Sequence, residues 1–269
     1  MDYVLGEPLY SGADTRVVTG VHRDHQAPVV LKLPRRGLPS EQTVARLRHE
    51  HALLRGLELP GVIRALDLVP HGGGVALVLE RWGDGSLDRF LSHGPLPVEV
   101  VLRLGVVLGR VLGRVHREGV IHRDIKPQNI LVDAAFTDVR LIDFGLATRG
   151  SSEAGAVAAA GELLGTLAYM APEQTGRMKR VVDARADLYA LGGTLYQMLT
   201  AELPFEGTDE LALIHAHMAR RPLAPHERVP ESKIPGQVSA IVMKLLEKSP
   251  EQRYQTADGV SRDLEYALD

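Results

Sequence analysis

The hydrophobic residues of this 269-residue chain change their spacing part-way along the sequence, and this change restricts the fold more than any other feature. Over the first third, apolar residues alternate as they do in β-strands, and turn residues interrupt them. The predicted strands are Val17 to Val21, Pro28 to Leu33, Val62 to Val69 and Val75 to Leu79. One helical pattern, from about Ser40 to Leu57, lies between them, and from Leu96 onward the spacing is mostly helical. The sequence therefore predicts an α+β fold in which a small antiparallel sheet with one helix precedes a helical part.

The composition excludes several classes of protein. With 45% hydrophobic and 24% charged residues the chain is expected to fold as a globular protein. The absence of cysteine excludes disulfides, Cys-ligated metals and a thiol nucleophile. A net charge of -3 without a large basic patch argues against nucleic-acid binding. The first residues lack the pattern of a secretion signal, and arginines interrupt the longest apolar stretch, so we expect a cytoplasmic chain without a membrane span.

The predicted helix that begins near Val98 carries two regular series of residues. Four arginines fall on one stripe, which is typical of a solvated helix face and less often of a site for an acidic partner; they are Arg103, Arg110, Arg114 and Arg117. Three glycines recur every fourth residue: Gly105, Gly109 and Gly113. Because glycine costs roughly 1 kcal/mol against alanine inside a helix, we expect a close packing partner along the glycine stripe.

The strongest chemical signal is the stretch His122 to Asn129, with the sequence HRDIKPQN. An apolar strand follows it, and soon afterwards comes Leu141 to Gly145, with the sequence LIDFG. The two segments together supply a carboxylate, a lysine, an amide and a second carboxylate. This set of groups suits magnesium-dependent phosphoryl transfer.

Each of these groups has a chemical task in such a reaction. Asp143 can ligate Mg²⁺ through a carboxylate oxygen, and Asn129 can add a neutral amide oxygen. Asp124 can orient an attacking hydroxyl and accept its proton. Lys126 can place its ammonium on the transferred phosphoryl group, whose charge spreads over three oxygens.

The pattern resembles the catalytic and metal-binding segments of the protein-kinase superfamily. Further pieces of the pattern occur in the expected order: a strand lysine at Lys32, a helix glutamate at Glu50, the segment MAPE at 170–173, and anchors at Asp187 and Arg253. Any one of these motifs occurs by chance in unrelated chains. Their occurrence together favours the protein-kinase resemblance over the hypothesis of an unrelated α+β domain.

The resemblance implies a two-lobed fold and a set of site residues. The N-terminal lobe, residues 1–81, would hold the ATP-binding sheet and the regulatory helix; residues 82–269 would form the hinge and the helical lobe with the catalytic loop and activation segment. Catalytic residues would be Asp124, Lys126 and Thr166, and metal ligands Asn129 and Asp143. ATP would contact Lys32, Glu50, Gly12, Val17, Val30, Leu79, Glu80, Trp82 and Leu131. Lys126 and Thr166 imply a Ser/Thr protein kinase with ATP and Mg²⁺ as cofactors and a protein hydroxyl as acceptor.

One segment departs from the family pattern. The loop that should place three glycines over the phosphates reads YSGADTRV at residues 10–17 and keeps only Gly12. Tyr10 and Thr15 stand at the other two glycine positions, and Asp14 adds a negative charge. Backbone approaches phosphate most easily without a Cβ. We therefore expect ATP binding to be weaker than with an intact loop.

The resemblance also implies partners and regulation. The stretch from Gly165 to Met178 is similar to the kinase-like domain of large bacterial signalling chains, in which an ATPase region, a GAF sensor and a histidine kinase follow. Arg123, before the catalytic aspartate, would bind an activation-loop phosphate, with Thr148, Ser151 and Ser152 as acceptors, unless backbone carbonyls hold it. The small-residue segment Ser151 to Gly161 is expected to be a mobile loop.

Two other functions remain as alternatives. A regulatory kinase-like module would bind nucleotide or a partner without transferring phosphate, and the glycine-poor loop motivates this hypothesis. A small-molecule phosphotransferase of the aminoglycoside type shares a similar catalytic loop but lacks the MAPE segment and its arginine partner. A transfer assay with an Asp143→Asn control separates the kinase from the regulatory module.

Overall fold

The structure is a computed structural model that describes residues 2–35, 39–150, 152–153, 167–177, 180–207 and 209–269. The chain divides into two compact units. The first comprises Met1–Trp82 with Ile142–Leu146, and the second comprises Gly83–Leu141 with Ala147–Asp269. The division into an ATP-binding lobe at 1–81 and a hinge with a helical lobe, carrying the catalytic loop and activation segment, at 82–269 stays a prediction.

The first unit is built on a five-stranded antiparallel sheet in the order β1-β2-β3-β5-β4. Its strands are β1 (Tyr3–Ser11), β2 (Thr15–His22), β3 (Pro28–Pro34), β4 (Ala65–His71) and β5 (Gly74–Glu80). The predicted antiparallel sheet is therefore confirmed. The sequence analysis missed β1, because Gly6 and Pro8 interrupt its pattern, and the strand has register shifts on both sides of Pro8.

The two faces of β3 have different surroundings. Val29, Leu31 and Leu33 belong to the buried core cluster on one face of the sheet. Val30 and Lys32 alternate with them and are only partly buried. Since successive side chains of a strand point to opposite faces, Lys32 lies on the face opposite the main core cluster.

Helix α1 (Glu41–Leu57) packs against the sheet and begins as predicted. Ser40 is its N-cap, and its side-chain oxygen accepts a hydrogen bond from the Thr43 amide at 3.1 Å. Leu47, Leu54 and Leu57 are buried, which confirms the helical spacing of the apolar residues. The helix places Glu50 at 1% exposure.

The second unit is mainly helical. Its helices are α2 (Leu87–Leu91), α3 (Val98–Arg117), α4 (Arg185–Thr200), α5 (Glu210–Ala219), α6 (Pro225–Arg228), α7 (Gly236–Leu245) and α8 (Ala257–Leu268). Short antiparallel strands accompany them: β6 (Gly85–Ser86), β7 (Val120–Ile121), β8 (Ile130–Val132), β9 (Val139–Leu141), β10 (Thr148–Arg149), β11 (Ser152–Glu153) and β12 (Val181–Val182). Strand β8 pairs with β6 and β9, and β7 pairs with β10. The α+β class and the kinase-like division into sheet and helices are confirmed.

Helix α3 packs closely against α8 along its glycine stripe. A Cβ on Gly109 would lie 3.2 Å from the Ala257 carbonyl oxygen, and one on Gly113 would lie 2.6 Å from a carboxylate oxygen of Asp258. The close partner expected from the glycines is thus present. Three of the four arginines are exposed, as expected for a solvated face, and two of them form surface ion pairs with α8: Arg110 with Glu265 and Arg117 with Asp258.

Two further sequence-based expectations concern loops and membranes. Ser152 and Glu153, expected in a mobile loop, pair as β11 with β12; the rest of that expected loop lies outside the described residues. Within the ranges that the structure describes, no helix is both long enough and apolar enough to cross a bilayer.

Candidate active site

In the first unit, Lys32 joins two carboxylates. Its Nζ lies 2.8 Å from Glu50 Oε2 on α1 and 2.8 Å from Asp143 Oδ1. Lys32 is 12% exposed and Glu50 1%, whereas Asp143 is 40% exposed. The ion pair between the strand lysine and the helix glutamate is formed, and the aspartate of the LIDFG segment shares the same ammonium.

These ionisable side chains shift one another's pKa values. Burial acts to lower the pKa of Lys32, but the carboxylates of Asp143 and Glu50 outweigh it and raise that pKa above its usual value. Burial raises the pKa of Glu50, and Lys32 opposes this shift. Lysine is therefore firmly protonated, and it is the group that permits a carboxylate to be buried at this position.

The glycine-poor loop is a tight hairpin between β1 and β2. Tyr10 pairs with Val17 in the ladder, and the Gly12 amide donates to the Thr15 carbonyl at 2.8 Å. The carboxylate of Asp14 lies 3.9 Å from Arg46 on α1. That arginine partly neutralises Asp14, so the repulsion of phosphate expected from the sequence is smaller than the bare charge implies.

The residues proposed to contact adenine fall in both units. In the first unit Val17 pairs with Lys32, and Val30 pairs with Leu79, so these four side chains share one sheet face. The Glu80 amide donates to the Arg64 carbonyl at 3.0 Å and is therefore already paired. Of the Glu80 backbone groups, the carbonyl is the candidate for binding adenine. Trp82 ends the first unit. Leu131 lies on β8 of the second unit and pairs with Ser86 and Arg140.

In the second unit, three polar side chains of the catalytic loop converge. Lys126 Nζ lies 2.8 Å from Asp124 Oδ2. Asn129 Nδ2 donates to the same oxygen at 2.8 Å and to the Asp124 carbonyl at 2.9 Å. Asp124 is 9% exposed. The loop therefore presents one carboxylate whose orientation is held by an ammonium and an amide.

The loop is anchored by a buried carboxylate on α4. Asp187 is fully buried and accepts hydrogen bonds from the His122 amide at 2.8 Å, the Arg123 amide at 2.7 Å and His116 Nε2 at 2.8 Å. Burial acts to raise the pKa of Asp187, but the hydrogen bonds and charge of His116 and His122 lower it. Arg123 has a φ of 68°, a left-handed conformation that is strained for a residue with a Cβ. Asp187 thus holds the strained backbone that precedes Asp124.

A second anchor joins the loop to the MAPE segment. Gln174 Nε2 donates to the Arg123 carbonyl at 3.0 Å, and Gln174 Oε1 accepts from the Ala171 amide at 3.1 Å. Sequence reasoning missed Gln174 and His116. A lone glutamine and a lone helical histidine carry no local signal, and their partners lie 51 and 71 residues away.

Thr166, assigned a catalytic role from the resemblance, lies outside the described residues. Among the described residues no carbonyl accepts from the Arg123 guanidinium; because residues 154–166 of the activation segment lie outside them, the alternative in which backbone carbonyls hold Arg123 stays a prediction. Burial lowers the pKa of Arg123, against the opposing charge of Asp187. The arginine is a partly desolvated cation.

The two predicted metal ligands lie in different units, and each presents an oxygen of the kind that a hard divalent cation takes. In the second unit, the Asn129 amide nitrogen is held by Asp124, so its oxygen is the amide atom left for a metal. In the first unit, Asp143 has a partly exposed carboxylate. Carboxylate and amide oxygens are the ligands that Mg²⁺ takes in nucleotide sites.

Comparison with known proteins decides the family. The model of the protein kinase domain matches residues 3–264. The chain belongs to the protein kinase family. It is 34% identical over 227 residues, 84% of this chain and 32% of the relative, to the probable serine/threonine-protein kinase CPE1738 of Clostridium perfringens. It is 32% identical over 272 residues, 97% of this chain and 42% of the relative, to the serine/threonine-protein kinase PknB of Mycobacterium leprae.

The chain is also similar to a third serine/threonine-protein kinase. The serine/threonine-protein kinase pkn2 of Myxococcus xanthus is 35% identical over 255 residues, 93% of this chain and 30% of the relative. This kinase-family chain thus spans only 30–42% of the length of these three relatives. The relatives are named kinases as whole proteins.

Proposed function

We propose that the chain is a serine/threonine protein kinase that transfers the γ-phosphoryl group of ATP to a protein hydroxyl. The observation that carries the proposal is the meeting of Lys126 and Asn129 at Asp124 Oδ2. With that oxygen occupied, Asp124 has Oδ1 to accept a proton from the acceptor hydroxyl. The names of the relatives, all serine/threonine-protein kinases, support the acceptor class.

The remaining residues receive roles by the same chemistry. Lys32, fixed by Glu50, would bind the α- and β-phosphates, and Lys126 would stabilise the charge on the transferred group. Mg²⁺, held by Asp143 and Asn129, would neutralise phosphate oxygens. Val17, Val30, Leu79, Leu131 and the backbone of Glu80 and Trp82 would bind adenine, with Gly12 over the phosphates. Thr166 would position the acceptor hydroxyl.

The wider setting is part of the proposal. A protein carrying a Ser or Thr hydroxyl is the proposed substrate, in bacterial signalling inside the cytoplasm. Since the relatives extend well beyond the matched region, further domains fused to this one fit the proposal, including the ATPase, GAF and histidine-kinase regions implied by the sequence. The proposed function involves neither nucleic acid nor a membrane span.

The test is transfer of label from γ-labelled ATP to a generic protein acceptor in the presence and absence of Mg²⁺. The wild-type protein should label the acceptor only with Mg²⁺, and Asp143→Asn should reduce labelling at least 100-fold. Asp24→Asn, an exposed exchange in the β2–β3 hairpin, is the matched control and should leave labelling unchanged. ATP binding without any transfer by the wild type would favour the regulatory module instead.

A further inference from the structure

Lys32 has two partners of unequal exposure, and only one of them is a candidate metal ligand. Glu50 is 1% exposed, and among the described residues its one ion-pair partner is Lys32. Asp143 is 40% exposed and offers Oδ1 to the same ammonium. The contact between Lys32 and Asp143 therefore occupies a carboxylate oxygen that the proposed function assigns to Mg²⁺.

We propose that Lys32 is a built-in competitor for the divalent cation, which keeps Asp143 from binding metal until nucleotide phosphates engage the lysine. This inference rests on the proposed function only for the assignment of Asp143 as metal ligand. An ammonium 2.8 Å from Oδ1 takes one of the lone pairs of that oxygen. It also repels a second cation at the same carboxylate through Coulomb interaction.

The local charges indicate how removal of the lysine should change the affinity of Asp143 for a dication. One ammonium, that of Lys32, serves two acidic side chains, Glu50 and Asp143. Without the lysine, Asp143 loses this ammonium, and one positive charge that repels a dication is removed. With nucleotide present, phosphate oxygens compete with Asp143 for the ammonium.

Asp143 has a backbone contact besides its contact with the lysine. The residue has a φ of 63°, and the Gly145 amide lies 3.4 Å from its Oδ1. A Cβ on Gly145 would lie only 3.2 Å from the same oxygen. Removal of the lysine charge should therefore leave the carboxylate in place.

The test is a titration of nucleotide-free protein with Mn²⁺, followed by electron paramagnetic resonance of free Mn²⁺. Lys32→Met should bind Mn²⁺ about tenfold or more tightly than the wild type, and Lys32→Met with Asp143→Asn should lose that gain. Lys233→Met changes the net charge equally at an exposed position of the second unit and should leave the affinity unchanged. Lys32→Gln, which keeps a hydrogen-bond donor for Glu50, is the second variant and should also gain affinity.

Three results would overturn the inference. One is equal Mn²⁺ affinity of the wild type and the folded Lys32 variants. Another is a gain that survives Asp143→Asn. The third needs no Lys32 variant: tight Mn²⁺ binding by nucleotide-free wild type that Asp143→Asn removes. Because the readout is metal binding, a wild type that transfers no phosphate would refute the proposed kinase activity while leaving this test intact.

Discussion

Arg253 and Glu173 form a doubly hydrogen-bonded ion pair in the interior of the second unit. Arg253 Nη1 lies 2.6 Å from Glu173 Oε1, and Nη2 lies 2.8 Å from Oε2. The arginine also donates to the backbone carbonyls of Arg185, Glu247 and Lys248. Both side chains are at most 1% exposed. Arg253, named from the sequence as an anchor, is thus the arginine partner of the MAPE segment, and the pair ties that segment to the loop before α8.

Arg253→Ala should destabilise the protein strongly, because it leaves a carboxylate buried without a counter-ion. Breaking a buried pair from one side costs about 3–5 kcal/mol. For a domain of this size that corresponds to a fall in Tm of roughly 6–20 °C. Arg180→Ala, which removes an exposed pair with Glu251, is the control and should cost about 1 kcal/mol or less. Equal melting temperatures for the two variants would contradict the account.

Asp124→Asn should separate chemistry from nucleotide binding. The residue is assigned to the acceptor hydroxyl, so loss of its proton-accepting oxygen should reduce turnover by about 10²–10⁴-fold. ATP affinity, measured by calorimetry on the same protein, should change less than about threefold. Comparable losses of affinity and turnover would show that Asp124 acts through the nucleotide.

Replacing Tyr10 and Thr15 together by glycine should tighten ATP binding. Each Cβ is expected to keep the hairpin backbone from the phosphates. A hydrogen bond to a charged phosphate contributes about 1.5–3 kcal/mol, or roughly ten- to a hundredfold in affinity. Leu9→Gly, next to Tyr10 and exposed, controls for added flexibility and should not tighten binding. Unchanged or weaker binding by the double variant would show that the hairpin already reaches the phosphates.

The stability of the protein should fall with acid through His217. Burial, reinforced by the charge of Lys248, lowers the pKa of His217 to about 3 from 6.5. The unfolded state then takes up the proton first, so the neutral histidine's contribution is complete above pH 6.5 and is lost as the pH falls toward 3. At pH 5 about 2 kcal/mol should be lost relative to pH 7.

Denaturant unfolding at pH 7 and pH 5 measures this effect as a difference between variants. The free energy of unfolding of the wild type should exceed that of His217→Gln by about 2 kcal/mol less at pH 5 than at pH 7, because glutamine does not titrate. His215→Gln, on the exposed side of the same helix, should show no such change. A wild-type advantage that is independent of pH would refute the assignment.

Phosphorylation of the segment after Gly145 should increase activity through Arg123. Burial partly desolvates that guanidinium, and a phosphate would supply it with a charged acceptor. The Thr148 hydroxyl is buried, so Ser151 and Ser152 are the expected sites. Mass spectrometry after incubation with ATP should find phosphate there, and phosphatase treatment should reduce wild-type activity severalfold. Arg123→Ala should be insensitive to the phosphatase; an equal response from both would end the hypothesis.

The motifs predicted much of the site because its chemistry is encoded locally. Asp124, Lys126 and Asn129 lie within six residues, and the loop brings them to one carboxylate oxygen. Lys32 and Glu50 were predictable as a pair from a strand followed by a helix. These are contacts that short segments can specify.

What the sequence did not reveal depends on contacts between distant segments or on unusual backbone. The partnership of His116 with Asp187 spans 71 residues and has no periodic signal. The positive φ of Arg123 is imposed by its surroundings and not by its residue type. The ion pair between Asp14 and Arg46 likewise required the hairpin and α1 to be placed in space.

The most direct measurement of the central claim is the identity of the amino acid that receives the label. The wild-type protein is incubated with γ-labelled ATP, Mg²⁺ and a protein acceptor, and the product is hydrolysed and resolved into phosphoamino acids. The account predicts phosphoserine and phosphothreonine, and neither of them with Asp124→Asn. Label on tyrosine alone, or no label from protein that demonstrably binds ATP, would contradict it.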